Sequence, residues 1–378
     1  MQLPPLAAYV HIPWCVRKCP YCDFNSHTSD SGLPEDEYID ALIADLEQDL
    51  RPVQGRELSS IFFGGGTPSL FSAASLGRLL DAMAQRLHFA KDIEITLEAN
   101  PGTFEQVKFK DYRATGINRL SIGVQSFNPE HLKALGRIHD DHEALAAVDM
   151  ARRAGFDNLN LDLMHGLPGQ SLEHALADIN QAIALQPEHL SWYQLTLEPN
   201  TVFYSRPPVL PEDEVLWDIQ EAGQARMADA GYAQYEISAY ARDQRQARHN
   251  LNYWQYGDFI GIGAGAHGKF SYPDGRVERY WKTRLPKDYL AAAPLAFCSG
   301  RKTLTASELP FDFLMNALRL VDGVPTAWYS ERTAQPISHI APLLDKAVER
   351  GLLEPWQQQL RPTEHGRLFL NDLLEMFL

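Results

Sequence analysis

Cysteine is scarce in this chain: there are four in 378 residues, and Cys15, Cys19 and Cys22 fall within eight positions near the start. So few, and so clustered, they do not read as a disulfide framework, which speaks against an oxidising compartment. Basic charge is also short. The 34 Lys and Arg stand against 49 Asp and Glu, a net charge of −15, whereas a phosphate-binding surface is usually basic. No apolar run approaches the ~20 residues that cross a bilayer. The first eight residues carry none of the basic character of a secretory signal. These absences disfavour nucleic acid as a partner, export, and a transmembrane segment. The expectation is a cytoplasmic protein, whose 45% hydrophobic residues are ample for a large core spread over two or three domains.

What is present begins with "YVHIPWCVRKCPYCDF", residues 9–24, in which the thiols are spaced C-x3-C-x2-C. Thiolates this close meet at one soft metal centre only if the chain loops around it, and Pro20 discourages a regular helix there. Three readings stay open on spacing alone. Structural zinc would need a fourth ligand, for which His11 and His27 are candidates. The cysteines could be incidental. An iron–sulfur cluster would leave one iron without a protein ligand and open to a small molecule. Arg17 and Lys18 would lower the thiol pKa values and offset the cluster's charge.

Down the chain, apolar strand-like runs at 7–12, 60–63, 93–97, 119–124, 158–163 and 189–195 alternate with helical patterns at 34–50, 74–87, 104–114, 141–154 and 172–184. Each helical stretch is long enough for a crossover. The fold class is therefore α/β, a partial (β/α)6 barrel on a parallel sheet. In such barrels chemistry sits at the C-terminal ends of strands. There the sequence places Gly64-Gly65-Gly66-Thr67-Pro68, whose backbone N–H groups would be exposed, then Glu98, Gln125, Asp162 and His165. Arg137 adds a cation. Residues 236–302, with "HNLNYW" (249–254) and the glycine-rich "GIGAGAHGKF" (261–270), read as a connecting segment after a 1–235 barrel. The 303–378 region is mainly helical, with a turn at Asp322-Gly323 and a last helix capped by Thr363, in the manner of a winged helix. With six Lys or Arg against ten Asp or Glu in residues 306–378, that region reads as a lid or docking surface and not a DNA-binding one.

The cysteine motif, after a first strand and with Tyr21 before the last thiol, resembles the signature of the radical S-adenosylmethionine superfamily. The resemblance implies that Cys15, Cys19 and Cys22 hold a [4Fe–4S] cluster. It implies too that S-adenosylmethionine takes the fourth iron and is cleaved there to a 5′-deoxyadenosyl radical. "YVHIPWC", "FFGGGTPSL", "RLSIGVQSF", "LGRIHD" and "DLMHGLPGQ" are similar to the branch containing oxygen-independent coproporphyrinogen III oxidase and the heme chaperones. By position, Tyr9, Gly65 and Glu98 match residues that contact the cluster-bound S-adenosylmethionine. Gly66, Thr67, Gln125, Arg137 and Asp162 match residues around a second S-adenosylmethionine in the oxidase. Three departures favour the chaperones: Phe24 stands where the oxidase has a further cysteine, only eight residues precede Tyr9, and "HNLNYW" fits the HNxxYW motif of that group.

The resemblance then implies binding of heme and its delivery to apo-hemoproteins, with membrane contact only peripheral, through clients. His249 is a candidate heme ligand, with Tyr253 and Trp254 able to pack on the porphyrin, and His267 is a second candidate. The alternative, from another class, is the oxidative decarboxylation of coproporphyrinogen III.

If the motif assignment holds, Cys15→Ala, Cys19→Ala or Cys22→Ala abolishes the cluster, while Cys298→Ala, far along the chain, retains iron and sulfide. Iron and sulfide analysis of the anaerobically reconstituted variants checks this, and the reverse pattern overturns it.

Overall fold

The computed structural model describes residues 3–28, 32–102, 108–138, 140–292 and 296–378. Six strands run parallel: β1 (Leu6–Ile12), β2 (Glu57–Gly65), β3 (His88–Ala99), β4 (Arg119–Gln125), β5 (Leu159–His165) and β6 (His189–Gln194). They lie side by side in chain order. In register, Tyr9 stands opposite Phe62, Phe62 opposite Thr96, and Leu120 opposite Leu159. Strands buried on both faces read as continuous apolar runs, which is why they are visible in the sequence. The crossovers are α1 (Glu35–Gln48), α2 (Ala73–Arg86), α3 (Phe109–Ala114), α4 (Asp141–Arg153) and α5 (Leu172–Ala184). Their starts are capped locally. Ser72 and Ser171 accept from Ser75 N and His174 N, and Asp140 with Glu143 forms a reciprocal capping box. Of the helical pattern expected at 104–114, residues 104–107 lie outside the described residues.

The sheet does not stop at six strands. After α6 (Asp213–Asp229), β7 (Ala233–Glu236) and β8 (Ala239–Ala241) add an antiparallel pair beyond β6. On the other side β9 (Asp258–Ile262) runs parallel to β1, followed by antiparallel β10 (His267–Ser271), β11 (Val277–Lys282) and β12 (Cys298–Thr303). Residues 236–302, expected as a connection, thus supply strands of one 12-stranded sheet. The signal was weak because β9, "DFIGI", is only 5 residues long and its apolar run is interrupted by Gly261.

The segment also supplies α7 (Arg248–Trp254), which closes the N-terminal end of the parallel strands. Arg248 N donates to Glu94 Oε1 at 2.9 Å and its guanidinium to Asp92 Oδ2 at 2.6 Å, both in β3. Against this end pack the C-terminal helices. Phe313, Leu318, Tyr329 and Leu344 share a core with Tyr235, Ala239 and Tyr256. A two-stranded pairing of Val324–Pro325 with Gln359–Leu360 forms the small wing, and Thr363 Oγ1 caps the next helix by accepting from Gly366 N at 2.9 Å.

A buried ionic cluster ties α1 to the added strands. Lys282 Nζ donates to Asp45, and to Asp49 Oδ2 at 2.6 Å, with all three side chains fully buried. Tyr289 OH and Gly263 N complete Asp45, and Arg301 reaches Asp49 at 3.1 Å. Breaking such a pair leaves an uncompensated charge in the interior. Lys282→Met should therefore cost about 3–5 kcal/mol of unfolding free energy, measured by urea denaturation. A loss within experimental error of zero would show that the cluster holds nothing together.

Candidate functional site

The loop after β1 is fixed at both ends before any ligand enters. Trp14–Cys15 pairs in parallel with His27–Thr28. Within it Cys22 N donates to Cys19 O at 3.2 Å, and Lys18 Nζ donates to Phe24 O and Ser26 O, each at 3.2 Å. Cys15, Cys19 and Cys22 are free thiols of intermediate exposure that line one cavity of about 260 Å³ at the C-terminal end of the strands. Burial pushes the Cys15 and Cys22 thiols up; Ser26 and Lys18 act on Cys22 in the opposite sense but less strongly. Arg137 is the cation in contact: its Nη1 approaches Cys19 Sγ at 3.7 Å, while Nη2 donates to Asn100 Oδ1 and Gly123 O at 2.7 Å each. Lys18 is spent on carbonyls. These thiols fit an iron–sulfur cluster: they share one rim beside an open space and have no disulfide partners. Among the described residues no three His, Cys, Asp or Glu converge as a single metal ion requires, so the zinc reading finds no ligand set there. A cluster whose irons each take one thiolate does not ask for that convergence.

Opposite the thiols lie the glycine loop and the ends of the next strands. Gly65 has φ +116, and a Cβ there would fall 2.4 Å from the His11 ring, so only glycine fits. The loop's N–H groups are not free, contrary to expectation. Gly65 N donates to Glu98 Oε2 at 3.2 Å, Gly66 N to Ile12 O and Thr67 N to Trp14 O, each at 2.7 Å. The loop therefore suits an ammonium, which carbonyl oxygens can receive, better than a carboxylate. Glu98 and Asp162 face the same cavity. Burial first, and Asp162 second, push the Glu98 carboxyl up to about 8. Burial also raises Asp162, against hydrogen bonds from Asn160 and Ser121. Gln125 ends β4 with φ +69, an uncommon conformation for a residue with a side chain, and accepts from Tyr193 OH at 2.8 Å.

Gly65, Gly66, Thr67, Glu98, Gln125, Arg137 and Asp162 are thus brought together around the thiols. His165 is not. It is buried against Trp192, ring centroids 4.1 Å apart, on the helix side of the sheet, and burial lowers its imidazole to about 4. His249 sits inside the barrel, 3% exposed, stacked on Phe62 at 4.8 Å with Nε2 bonded to Tyr253 OH at 2.9 Å. It lines neither the thiol cavity nor its neighbour. That neighbour, about 540 Å³, meets the first at Phe24, Gly65 and Glu98, and extends past Tyr9 and His11 to Tyr253, Phe259, His267, Trp281 and Arg284. Tyr9 belongs to this second cavity, its OH 2.9 Å from His11 Nδ1. The sequence reading missed Asn100, Ser121, Tyr193 and Trp281. Tyr193, just before the end of β6, carried the same strand-end signal as Glu98; Trp281 carried none, because its strand was not seen.

A thiol loop after the first strand of a partial barrel, facing a glycine loop and polar strand ends, defines a radical S-adenosylmethionine protein. The sequence profile of that superfamily matches residues 9–182, and that of the HemN C-terminal domain matches residues 304–369. The chain is 53% identical to the heme chaperone HemW of Escherichia coli (strain K12), with 100% of this chain and 99% of that protein covered. It is 34% identical to the HemW of Bacillus subtilis (strain 168), covering 98% and 99%. In three dimensions it resembles coproporphyrinogen III oxidase (HemN) of Escherichia coli, with a TM-score of 0.83 over 99% of this chain and 90% of that one, at 24% identity. The chain belongs to the HemW family of the radical S-adenosylmethionine superfamily. That superfamily implies a [4Fe–4S] cluster and S-adenosylmethionine.

Glu98 carries a pH signature. Its folded-state carboxyl, at about 8 against an ordinary 4.5, keeps a proton between those values that the unfolded chain has lost. Stability of the cofactor-free protein should then fall as pH rises across that window and level off above it. Because Glu98 faces a cavity that water can enter, the slope will be shallower than full burial implies. Glu98→Gln should flatten the slope and be the more stable form above the window. Urea melts at a series of pH values check this, and an unchanged slope in the variant refutes it.

Proposed function

We propose that this chain carries heme: it holds a [4Fe–4S] cluster on Cys15, Cys19 and Cys22, binds S-adenosylmethionine beside it, takes up heme and delivers it to apo-hemoproteins in the cytoplasm. The observation that carries the reading is Phe24. At the position where the oxidase resemblance has a further cysteine, this chain has a phenylalanine, 61% exposed, that lines both cavities. Full-length similarity to proteins named heme chaperones supports the same conclusion. Among the described residues no helix is long and apolar enough to cross a membrane, so contact with membrane-bound clients would be through their exposed faces.

The chain's own groups divide the work. The three thiols would hold the cluster, and Arg137 beside Cys19 offsets part of its negative charge. Glu98 and the carbonyls of the glycine loop are set to receive the methionine ammonium, and Asp162, Gln125 and Thr67 line the remaining wall. When bound, the cluster would be the source of an electron for S-adenosylmethionine. Tyr193 holds Gln125 in place, and the Ser121 and Asn160 hydrogen bonds fix the Asp162 carboxyl.

The rival reading is oxidative decarboxylation of coproporphyrinogen III. Anaerobic protein with reconstituted cluster, S-adenosylmethionine and reductant separates the two. The expected result is stoichiometric heme binding, transfer of that heme to an apo-hemoprotein monitored by its Soret band, and no protoporphyrinogen. Sustained conversion of coproporphyrinogen III to protoporphyrinogen would replace the carrier with an enzyme.

A further inference from the structure

Resting on the carrier reading, we infer that heme occupies the second cavity, with His267 as an axial ligand to its iron and Arg284 facing a propionate. At about 540 Å³ the cavity falls within the ~300–1,000 Å³ of small-molecule sites. It adjoins the thiol cavity at Phe24, Gly65 and Glu98, so a macrocycle there would sit beside the cluster.

The walls suit a flat aromatic ligand. Phe24 and Trp281 are 61% and 38% exposed, two large apolar side chains standing in solvent at one rim, which a soluble surface ordinarily avoids. Trp281 is directly opposite His267 across the antiparallel pair β10–β11, so both side chains leave the same face of the sheet. The next strand supports this arrangement. A Cβ at Gly300 would lie 2.2 Å from the Trp281 indole, so glycine there lets the ring lie flat on β12. Tyr253 and Phe259, edge-to-face at 4.6 Å, close the inner end.

Elimination among the cavity's bases points to His267. His11 is engaged at both ring nitrogens, Nδ1 by Tyr9 OH at 2.9 Å and Nε2 by Asn25 O at 2.8 Å. Tyr253 OH is held by His249, which itself lies beneath the cavity floor. His267 is exposed, and its ring makes no hydrogen bond among the described residues. Partial enclosure by the cavity wall, and the Arg279 guanidinium second, hold its imidazole below the usual range, the direction that favours the neutral ring a metal binds. Arg284 stands on the rim, its Nε 3.4 Å from Asn25 Oδ1, and the rest of its guanidinium makes no hydrogen bond among the described residues, as binding a carboxylate requires.

The experiment is a titration of reconstituted, cluster-loaded full-length protein with hemin, followed by absorbance and electron paramagnetic resonance. His267→Ala should shift the Soret band, change the iron spin state and weaken binding roughly tenfold or more, as loss of a metal's support does. Free imidazole should restore the wild-type spectrum, and the cluster absorbance should not change. His267→Tyr should give a tyrosinate-type spectrum in place of the imidazole one, and Arg284→Ala should weaken heme but not heme dimethyl ester. Wild-type spectra in both His267 variants would overturn the assignment while leaving the carrier reading intact. Failure of the wild-type protein to bind hemin at all would sink the carrier reading, and this site with it.

Discussion

The site depends on Asn160, which fills the middle of the barrel with hydrogen bonds. Its Nδ2 donates to Ser121 Oγ at 2.7 Å and Asp162 Oδ1 at 2.8 Å; its Oδ1 receives His189 Nδ1 at 2.6 Å and Ser191 Oγ at 3.1 Å. This fixes the His189 tautomer, whose Nε2 then accepts from Tyr235 OH at 2.9 Å. Tyr235 in turn receives Ala247 N and the Asn250 amide, at 3.3 and 3.4 Å. One satisfied column thus runs from Asp162 at the cavity floor to the start of α7. In a low-dielectric interior such a network is stable only when complete, because each orphaned group costs its full desolvation. Asn250 of "HNLNYW" serves that column, and His249 beside it packs on Phe62 and Tyr9. Asn250 and His249 thus close the barrel from below, while Tyr253 of the same motif lines the second cavity.

Charge is arranged on the same plan. The chain is acidic as a whole, yet several buried carboxylates outside the site are matched by cations: Asp45 and Asp49 by Lys282 and Arg301, and Asp258 by Lys269 and Arg56. Inside the thiol cavity the match is left incomplete. Arg137 is committed to Cys19, Asn100 and Gly123, and neither it nor Arg17, the cavity's other cation, forms an ion pair with Glu98 or Asp162 among the described residues. A ligand bringing positive charge relieves that, and S-adenosylmethionine brings both a sulfonium and an ammonium. The raised Glu98 carboxyl records the same imbalance in the absence of ligand.

Much of this was legible in the chain. Parallel strands buried on both faces show as apolar runs, and the capped amphipathic helices between them show their boundaries, so that α5 begins and ends where its pattern does. Glu98, Gln125 and Asp162 were visible as polar residues at strand ends. The same signal misled at His165, because a few positions along a pleated strand a side chain leaves the cavity for the helix layer, where Trp192 receives it. The strands β9–β12 were hidden by their brevity and by glycines at 261, 263 and 268 that carry no hydrophobic period.

Sequence by itself determined the thiol loop, the alternation that builds the barrel, and the family. Each rests on spacing or order along the chain, which folding does not alter. Tertiary structure alone decided which histidine is enclosed and which is open. His249 and His267 lie on either side of β9, but α7 turns the first into the barrel against Phe62, whereas β10 holds the second at the mouth of a cavity beside Trp281. Side-chain direction is set by the element that carries the residue and by what packs against it, and neither is written in the residue's own neighbourhood.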